Sequence, residues 1–562
     1  MDRQRPRTTD RDRTCPIRWR PVRRLSAIAS LVFLASLAPG TPPAAAATHR
    51  LSQGLPFSDV NGSALMSPDG QFAVYRHDAE VDSALELWSV RVAGGAPVRL
   101  CGLLPSNVSV RDFQTSADSQ RVVYIVAQET ANQEELYSIP IAGPEGAWIK
   151  LNGELPTGGN VHALQISPDS TRVIYIADQA ANNIFDAWTI PIDGGTPDRL
   201  RPSFTPTGSS VLDYSVYPIS PDGERVLFRA NFSDLDKFEL WSARVDGTGP
   251  VTRLNGTLNT GGTIADYDFS FSPDSSRVVY RADQQTDGVF EIYSVPSAGG
   301  IAVKLNGVMT SGGVVANFEI SPDSTRVIYR ADQQTDGKFE LYSVPLAGGG
   351  ATKLNGALTF DGDVLDALIS PDSSRVVYLA DQATEDVDEI FSVPLAGGSA
   401  VKLNPALTAE GDARDLEIAP DSARVVYLAD QNDDEVQELF SVPLAGGASV
   451  RVSDDLVSGG DVAEFKIAPG SDFVFYRGDM WSNGVEELFR GRIAGISGAD
   501  VRLSGPMVAG GDVNLGDWTV LPDGRQAIYK ADQEVDEQYD LYLGDVCLLC
   551  DGFEAGDSGR WD

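Results

Sequence analysis

Along residues 364–403 the apolar positions gather into short runs separated by turn residues, a pattern of strands and not of helices. Val364–Ser370 and Arg375–Ala380 flank Pro371-Asp372-Ser373-Ser374. Pro pre-sets φ, and Asp and Ser bond back to the local backbone, so this stretch predicts a tight hairpin. After the turn-like Asp381–Asp386 comes a third run, Glu389–Pro394, then Ala396-Gly397-Gly398, then a fourth, Val401–Leu403. Four antiparallel strands are predicted in about 40 residues.

This unit repeats. Its clearest copy reads SPDSTRVIYRADQQTDGKFELYSVPLAGG, from Ser321 to Gly349. With the Asp of the SPD turn as marker, copies fall at Asp69, Asp118, Asp169, Asp222, Asp274, Asp323, Asp372, Asp421, Gly470 in the marker's place, and Asp523. The steps are 49, 51, 53, 52, 49, 49, 49, 49 and 53 residues. Four short strands at such a period describe a propeller blade, so the predicted fold is an all-β propeller of ten four-stranded blades.

A propeller must cover its first and last strand edges. The fourth strand carries a basic residue followed by Leu, as in Lys304-Leu305, Lys353-Leu354 and Lys402-Leu403, and the tenth copy stops after its third strand, Tyr539–Leu543. His49-Arg50-Leu51, ahead of the first copy, matches the missing element. The N-terminal strand is therefore expected to complete the last blade and close a single ring around a wide channel. Two smaller propellers are the alternative, although no linker divides the copies.

Composition fits a large β protein: 562 residues, 42% apolar, with 55 Gly and 33 Pro gathered at turns. The aromatic that follows the turn, such as Tyr280, Tyr329, Tyr378 and Tyr427, is expected to pack one blade on the next. Residues 1–47 differ: nine Arg, an apolar run from Leu25 to Ala38 and small residues at Ala44–Ala47 outline a signal peptide. The chain is thus expected in the periplasm or outside the cell, by the general secretory route in preference to the twin-arginine route suggested by Arg23-Arg24. The apolar run is too short and too rich in Ala and Ser for a membrane span, so no integral membrane segment is expected in the mature chain. The expected domains are 1–47, the propeller at 48–546 and a short acidic tail at 547–562, where Cys547 and Cys550 could form a local disulfide, leaving Cys101 unpaired.

Charge narrows the choice of partner. The chain carries −36; without residues 1–47 it has 35 basic and 77 acidic side chains, a net −42. Nucleic acid is excluded as a partner, because phosphate binding needs a basic face. Cations, basic peptides or positive surfaces fit instead. An acid opens the third strand in all ten copies (Glu340 and Glu389, for example), and eight copies carry an Asp eight residues earlier. These acids are expected to cap turns or pair with the repeated Arg172, Arg225, Arg277, Arg326, Arg375 and Arg424. The alternative is Ca²⁺ ligation by Asp283 with Asp287, or Asp332 with Asp336, although Asp-x-x-x-Asp-Gly resembles no complete calcium loop. No other cofactor is expected.

Catalytic motifs are lacking. His49, His77 and His162 share no motif, and no nucleophile elbow, zinc helix or phosphate loop occurs. Gly556-Asp557-Ser558-Gly559 copies a protease tetrapeptide without the His or the oxyanion-forming sheet that chemistry requires.

The SPDS or SPDG turn followed by R-V-x-Y and E-L-Y-S-V-P, over residues 49–546, resembles the WD40-like repeat of the bacterial TolB propeller family. The resemblance implies an exported propeller that binds protein in the bacterial envelope, in the manner of TolB with an outer-membrane lipoprotein. The sequence departs from that family in its greater number of blades, and neither the family's N-terminal α/β domain nor the C-terminal hydrolase domain that follows the same repeat in some peptidases is expected in residues 1–562. The expected function is a non-enzymatic scaffold for a protein or other ligand. A lyase or hydrolase working on a polymer in the channel is the alternative.

Overall fold

The computed structural model describes residues 47–545 except 53–59, 61–63, 79–82, 203–204, 206–207, 212–217, 409–410, 434, 496–499 and 537. All the described residues fall within one compact unit. The segment 1–47 expected to be a signal peptide lies, apart from Ala47, outside the described residues, as do Cys547, Cys550 and the acidic tail.

The described residues are all-β, with no helix. Ten blades follow one another, and in nine of them the strands lie in the order first to fourth across one antiparallel sheet. In blade 4 the bridges Val211–Ala230 and Ile219–Val226 mark the place of the first strand beside Arg225–Ala230, Glu239–Arg244 and Thr252–Arg253. Blade 6 shows the common plan: Val315–Ile320, Arg326–Ala331, Glu340–Pro345 and Thr352–Lys353. The second and third strands are buried on both faces, which is why their sequences read as near-continuous apolar runs.

The core lies between blades. Val279 and Ile292 of blade 5 pack on Phe318, Tyr329 and Tyr342 of blade 6. Ile328 and Leu341 of blade 6 then pack on Val364, Tyr378 and Phe391 of blade 7. The post-turn tyrosines serve this contact as expected, most of them also stacked on the third-strand aromatic of their own blade, as Tyr329 on Tyr342 at 5.2 Å between centroids. Blade 5 meets blade 6 as every other pair meets, and Leu521, Ile528 and Leu541 of blade 10 pack on Tyr75 and Trp88 of blade 1. This is one ring of ten, not two smaller propellers.

The ring closes through its N-terminal strand. Ala47–Arg50 runs antiparallel to Asp540–Asp545 as the fourth strand of blade 10, and Arg50 faces Tyr542 just as Lys353 faces Tyr342 in blade 6. The sequence register therefore carries through to the pairing register. No helix among the described residues is long and apolar enough to cross a membrane.

Candidate functional site

The strand order gives the ring two faces. One displays the SPD turns and the turns between third and fourth strands; the other displays the loops from second to third strand and from each fourth strand to the next blade.

On the turn face nearly every charge has a local task. In blade 6 the Asp323 carboxylate accepts from Ser321 Oγ at 2.6 Å and from the Thr325 N–H at 3.0 Å. Burial pushes this carboxyl up, but hydrogen bonds from Ser321, Thr325 and Ser373 outweigh it and hold Asp323 below the usual carboxylate range. The Asp323 N–H donates to Ser373 Oγ of blade 7 at 3.0 Å. Ser373 can present its hydroxyl there because it sits in the left-handed region at φ 59°. The same link joins Asp69 to Ser119, Asp118 to Ser170, Asp222 to Ser275, Asp274 to Ser324, Asp372 to Ser422 and Asp421 to Ser471. At the three other junctions Gly70, Gly223 and Gly524 occupy the left-handed position and offer no hydroxyl. The repeated Arg is engaged nearby: Arg326 Nε donates to Ser343 Oγ and Arg375 Nε to Ser392 Oγ, each at 2.7 Å.

That geometry corrects one expectation. The acids that open the third strands pair with the basic residue of the fourth strand and not with the Arg after the turn. Arg253 meets Glu239 at 2.8 Å, Arg451 meets Glu438 at 2.7 Å, Arg502 meets Glu487 at 2.7 Å, and Lys353 meets Glu340. In the closing blade Arg50 of the N-terminal strand meets Asp540 at 2.8 Å. These carboxylates are buried, as charged groups are when paired.

The Asp eight residues earlier caps backbone, as expected. Asp332 accepts from the Val314 N–H at 2.6 Å and the Gly337 N–H at 2.9 Å; Asp283 accepts from Thr263 at 2.6 Å and Gly288 at 3.0 Å. Both oxygens of each are thus engaged, while Asp287 and Asp336 are exposed. Among the described residues no three His, Cys, Asp or Glu side chains come together as a metal site. The three His stay apart: His49 on the closing strand, His162 edge-on to Phe185, and His77 buried, its pKa pushed down to about 4 by burial and then by Arg50. Cys101 is buried too, with its thiol raised to about 12 chiefly by burial, and its Sγ accepts from the Leu87 N–H at 3.3 Å, where Asn355 Oδ1 accepts from Leu341.

What these local tasks leave over is the loop face of blades 7–10. Its eight loop segments, 354–363, 381–388, 403–412, 430–437, 452–461, 479–486, 503–512 and 532–539, carry acid in every one and no Lys or Arg in any. Asp361, Glu385, Asp386, Asp433 and Glu435 are exposed, as is Asp455, which pairs with Arg451. Crowding registers on the partly buried members. Burial and then Asp412 and Asp381 push Asp388 up to about 6, and burial, against the opposing pull of Arg477 and with help from Asp479, Asp512 and Asp461, pushes Glu486 up to about 7. Two large rings stand exposed among these acids, Phe360 at 87% and Trp481 at 46%. Sequence reading found the acidity of this face but not its concentration in one arc, although the absence of Lys and Arg from these segments was there to be read.

No family model and no curated protein matches the chain. Solved structures that resemble it include an oligogalacturonate lyase in complex with manganese, 15% identical, with 59% of this chain and 88% of that one covered and a TM-score of 0.34. Dipeptidyl peptidase 4 of Porphyromonas gingivalis is 11% identical over 76% of this chain and 66% of its own, at a TM-score of 0.44. A putative TolB from Agrobacterium tumefaciens is 18% identical over 44% of this chain and 81% of its own, at 0.26. The likeness is one of fold, and two of these three proteins are enzymes by name.

Proposed function

We propose that this chain is an exported, non-enzymatic binding platform that engages a basic protein partner through the loop face of blades 7–10. The observation that carries the reading is the unbroken run of eight loop segments with acid and without a single Lys or Arg. The recurrent acids of the blades are neutralised by pairing or backbone capping; here Asp361, Glu385, Asp386, Asp433 and Glu435 add exposed carboxylates in segments that supply no cation of their own, a surface that attracts positive charge. Phe360 and Trp481 add exposed aromatic area of the kind that anchors interfaces. The Arg-rich, apolar leader and the likeness of the repeat to an envelope propeller family support export.

The test is binding of fluorescein-labelled decalysine to the purified chain, with decaglutamate as control, at low and moderate salt. Decalysine is expected to bind, to weaken steeply as salt rises, and to weaken when Glu385→Gln, Asp386→Asn, Asp433→Asn and Glu435→Gln are combined. Binding indifferent to those four substitutions, or none at low salt, overturns the reading. Capture from an envelope extract, with and without Ca²⁺, then identifies the natural partner and tells whether Asp287 and Asp336 bring a cation to it.

A further inference from the structure

The first strands lie nearest the ring axis, where those of neighbouring blades approach one another. Most follow one length. In blade 6 the bulge lies between Val315 and Asn317, and Phe318 already faces Tyr329; blade 9 repeats this with Val462, Glu464 and Phe465. Blade 5 departs from the plan: its irregular stretch runs from Ile264 to Phe269, two residues longer than Val315 to Phe318. The extra length comprises Asp266-Tyr267-Asp268 with its neighbours. Tyr267 there adopts φ 57° and is 58% exposed.

A bulky residue in the left-handed region is unusual, since Cβ crowds its own backbone. Blade 10 carries a first strand of the same extended length, and Gly516 takes the left-handed place at φ 73°. The strain at Tyr267 is therefore not required by the extended strand, which a glycine completes at no cost, and the extension is not required by the blade, which six other residues suffice to build in blade 6.

The segment on either side of Tyr267 is tied down by ion pairs. Asp266 pairs with Arg229 of blade 4, and Asp268 pairs with Arg281 of blade 5. Arg229 donates to the Ile264 carbonyl at 2.9 Å and stacks over Phe238; Arg281 donates to the Val315 carbonyl at 3.0 Å and stacks over Phe290. Both carboxylates beside Tyr267 are thus anchored by arginines that are anchored in turn. The residues on either side of the exposed aromatic are thus fixed, within the first strand and near the axis.

We propose that Tyr267 is a specificity-determining contact residue that receives a Lys or Arg side chain of the basic partner on its ring face. The inference rests on the binding reading above and adds a residue outside the acidic arc. A cation is the fitting occupant because the ring offers its negative π-face, the chain as a whole is strongly acidic, and Asp266, although paired with Arg229, remains largely exposed beside it.

The test compares Tyr267→Gly and Tyr267→Phe with the parent chain, reading decalysine affinity and thermal stability together. Tyr267→Gly removes the ring and relieves the backbone, so affinity is expected to fall at least fivefold while the melting temperature holds or rises. Tyr267→Phe keeps the ring and is expected to keep affinity within twofold. Unchanged affinity in Tyr267→Gly, with the four-site acidic variant still impaired, overturns the role of Tyr267 and leaves the acidic arc standing. A lowered melting temperature in Tyr267→Gly overturns it as well, by making the ring part of the packing. Failure of the parent chain to bind decalysine overturns both readings.

Discussion

Replacing Arg50 by Ala probes the closure of the ring. Arg50 reaches Asp540 at 2.8 Å and Glu534 at 3.0 Å, and Asp540 is only 2% exposed. Removing the cation leaves that carboxylate buried with Ser52 Oγ, at 2.7 Å, as its remaining side-chain donor. Loss of one partner of a buried pair costs about 3–5 kcal/mol; Arg50 is a quarter exposed and Ser52 remains, so the low end, about 3 kcal/mol, applies. Burial already raises Asp540, with Ser52 and Arg50 pulling the other way, so the variant lifts it further. A folded pKa above the unfolded one gives a contribution that is full below the unfolded value and disappears as pH rises through the folded one. The deficit of Arg50→Ala is therefore small near pH 5 and full near pH 8, and adding Asp540→Asn recovers most of it. Thermal unfolding at the two pH values reads this out; for a cooperative unit of this size 1 kcal/mol corresponds to about 1 °C, so denaturant titration is the finer assay. A deficit that does not grow with pH, or one that Asp540→Asn deepens, refutes the reasoning.

Three further outcomes are expected. At Ser373, Gly substitution is neutral within about 0.5 kcal/mol, because a lost hydrogen bond of about 1 kcal/mol is offset by relief of the left-handed backbone, whereas Ala loses the bond and keeps the strain; urea titration that ranks Ala at or above Gly contradicts this. Burial pushes Asp500 up to about 7 although the Tyr476 hydroxyl donates to it, with Asp454 adding to the rise, so its contribution is present at acid pH and lost as pH climbs through 7. Asp500→Asn should flatten the fall in melting temperature between pH 6 and pH 8, and an unchanged slope counts against the assignment. The buried Cys101 thiol should resist a thiol reagent until denaturant is added, and Cys101→Asn, which installs the residue used at Asn355, should leave stability unchanged or raise it; prompt labelling of the folded chain would show the thiol to be accessible.

The repeat carried most of the fold in legible form. Turn chemistry set the hairpins, and the strands of blade 7 read from the sequence, Val364–Ser370, Arg375–Ala380, Glu389–Pro394 and Val401–Leu403, match the observed ones within one residue. The basic residue at Arg50 announced the closing strand, because a fourth-strand motif ahead of the first copy has only one place to go. The ion pairing was not legible. Most blades supply an Arg after the turn as well as a Lys or Arg in the fourth strand, and only the folded sheet brings Lys353 within reach of Glu340 and Arg326 within reach of Ser343. The site was half legible: the steps of 52 and 53 residues signalled extra length in blades 5 and 10, but nothing in those numbers showed that Tyr267 would be the residue turned toward solvent.

The closing strand also sets an order of events in folding. Ala47–Arg50 is the first of the described strands to be made and finds its partner only when Asp540–Asp545 has followed, so the earliest strand is the last to settle. Until then the outer edge of Asp540–Asp545 is a bare template for another chain. The entropy of so long a closure grows only logarithmically with length, about 2 kcal/mol more per tenfold, and the intervening blades, once packed, hold the two ends near each other. The ring thus behaves as a clasp that shuts after the band is built, and fragments truncated at either end should fail by sticking to one another, edge to edge, before they fail by unfolding.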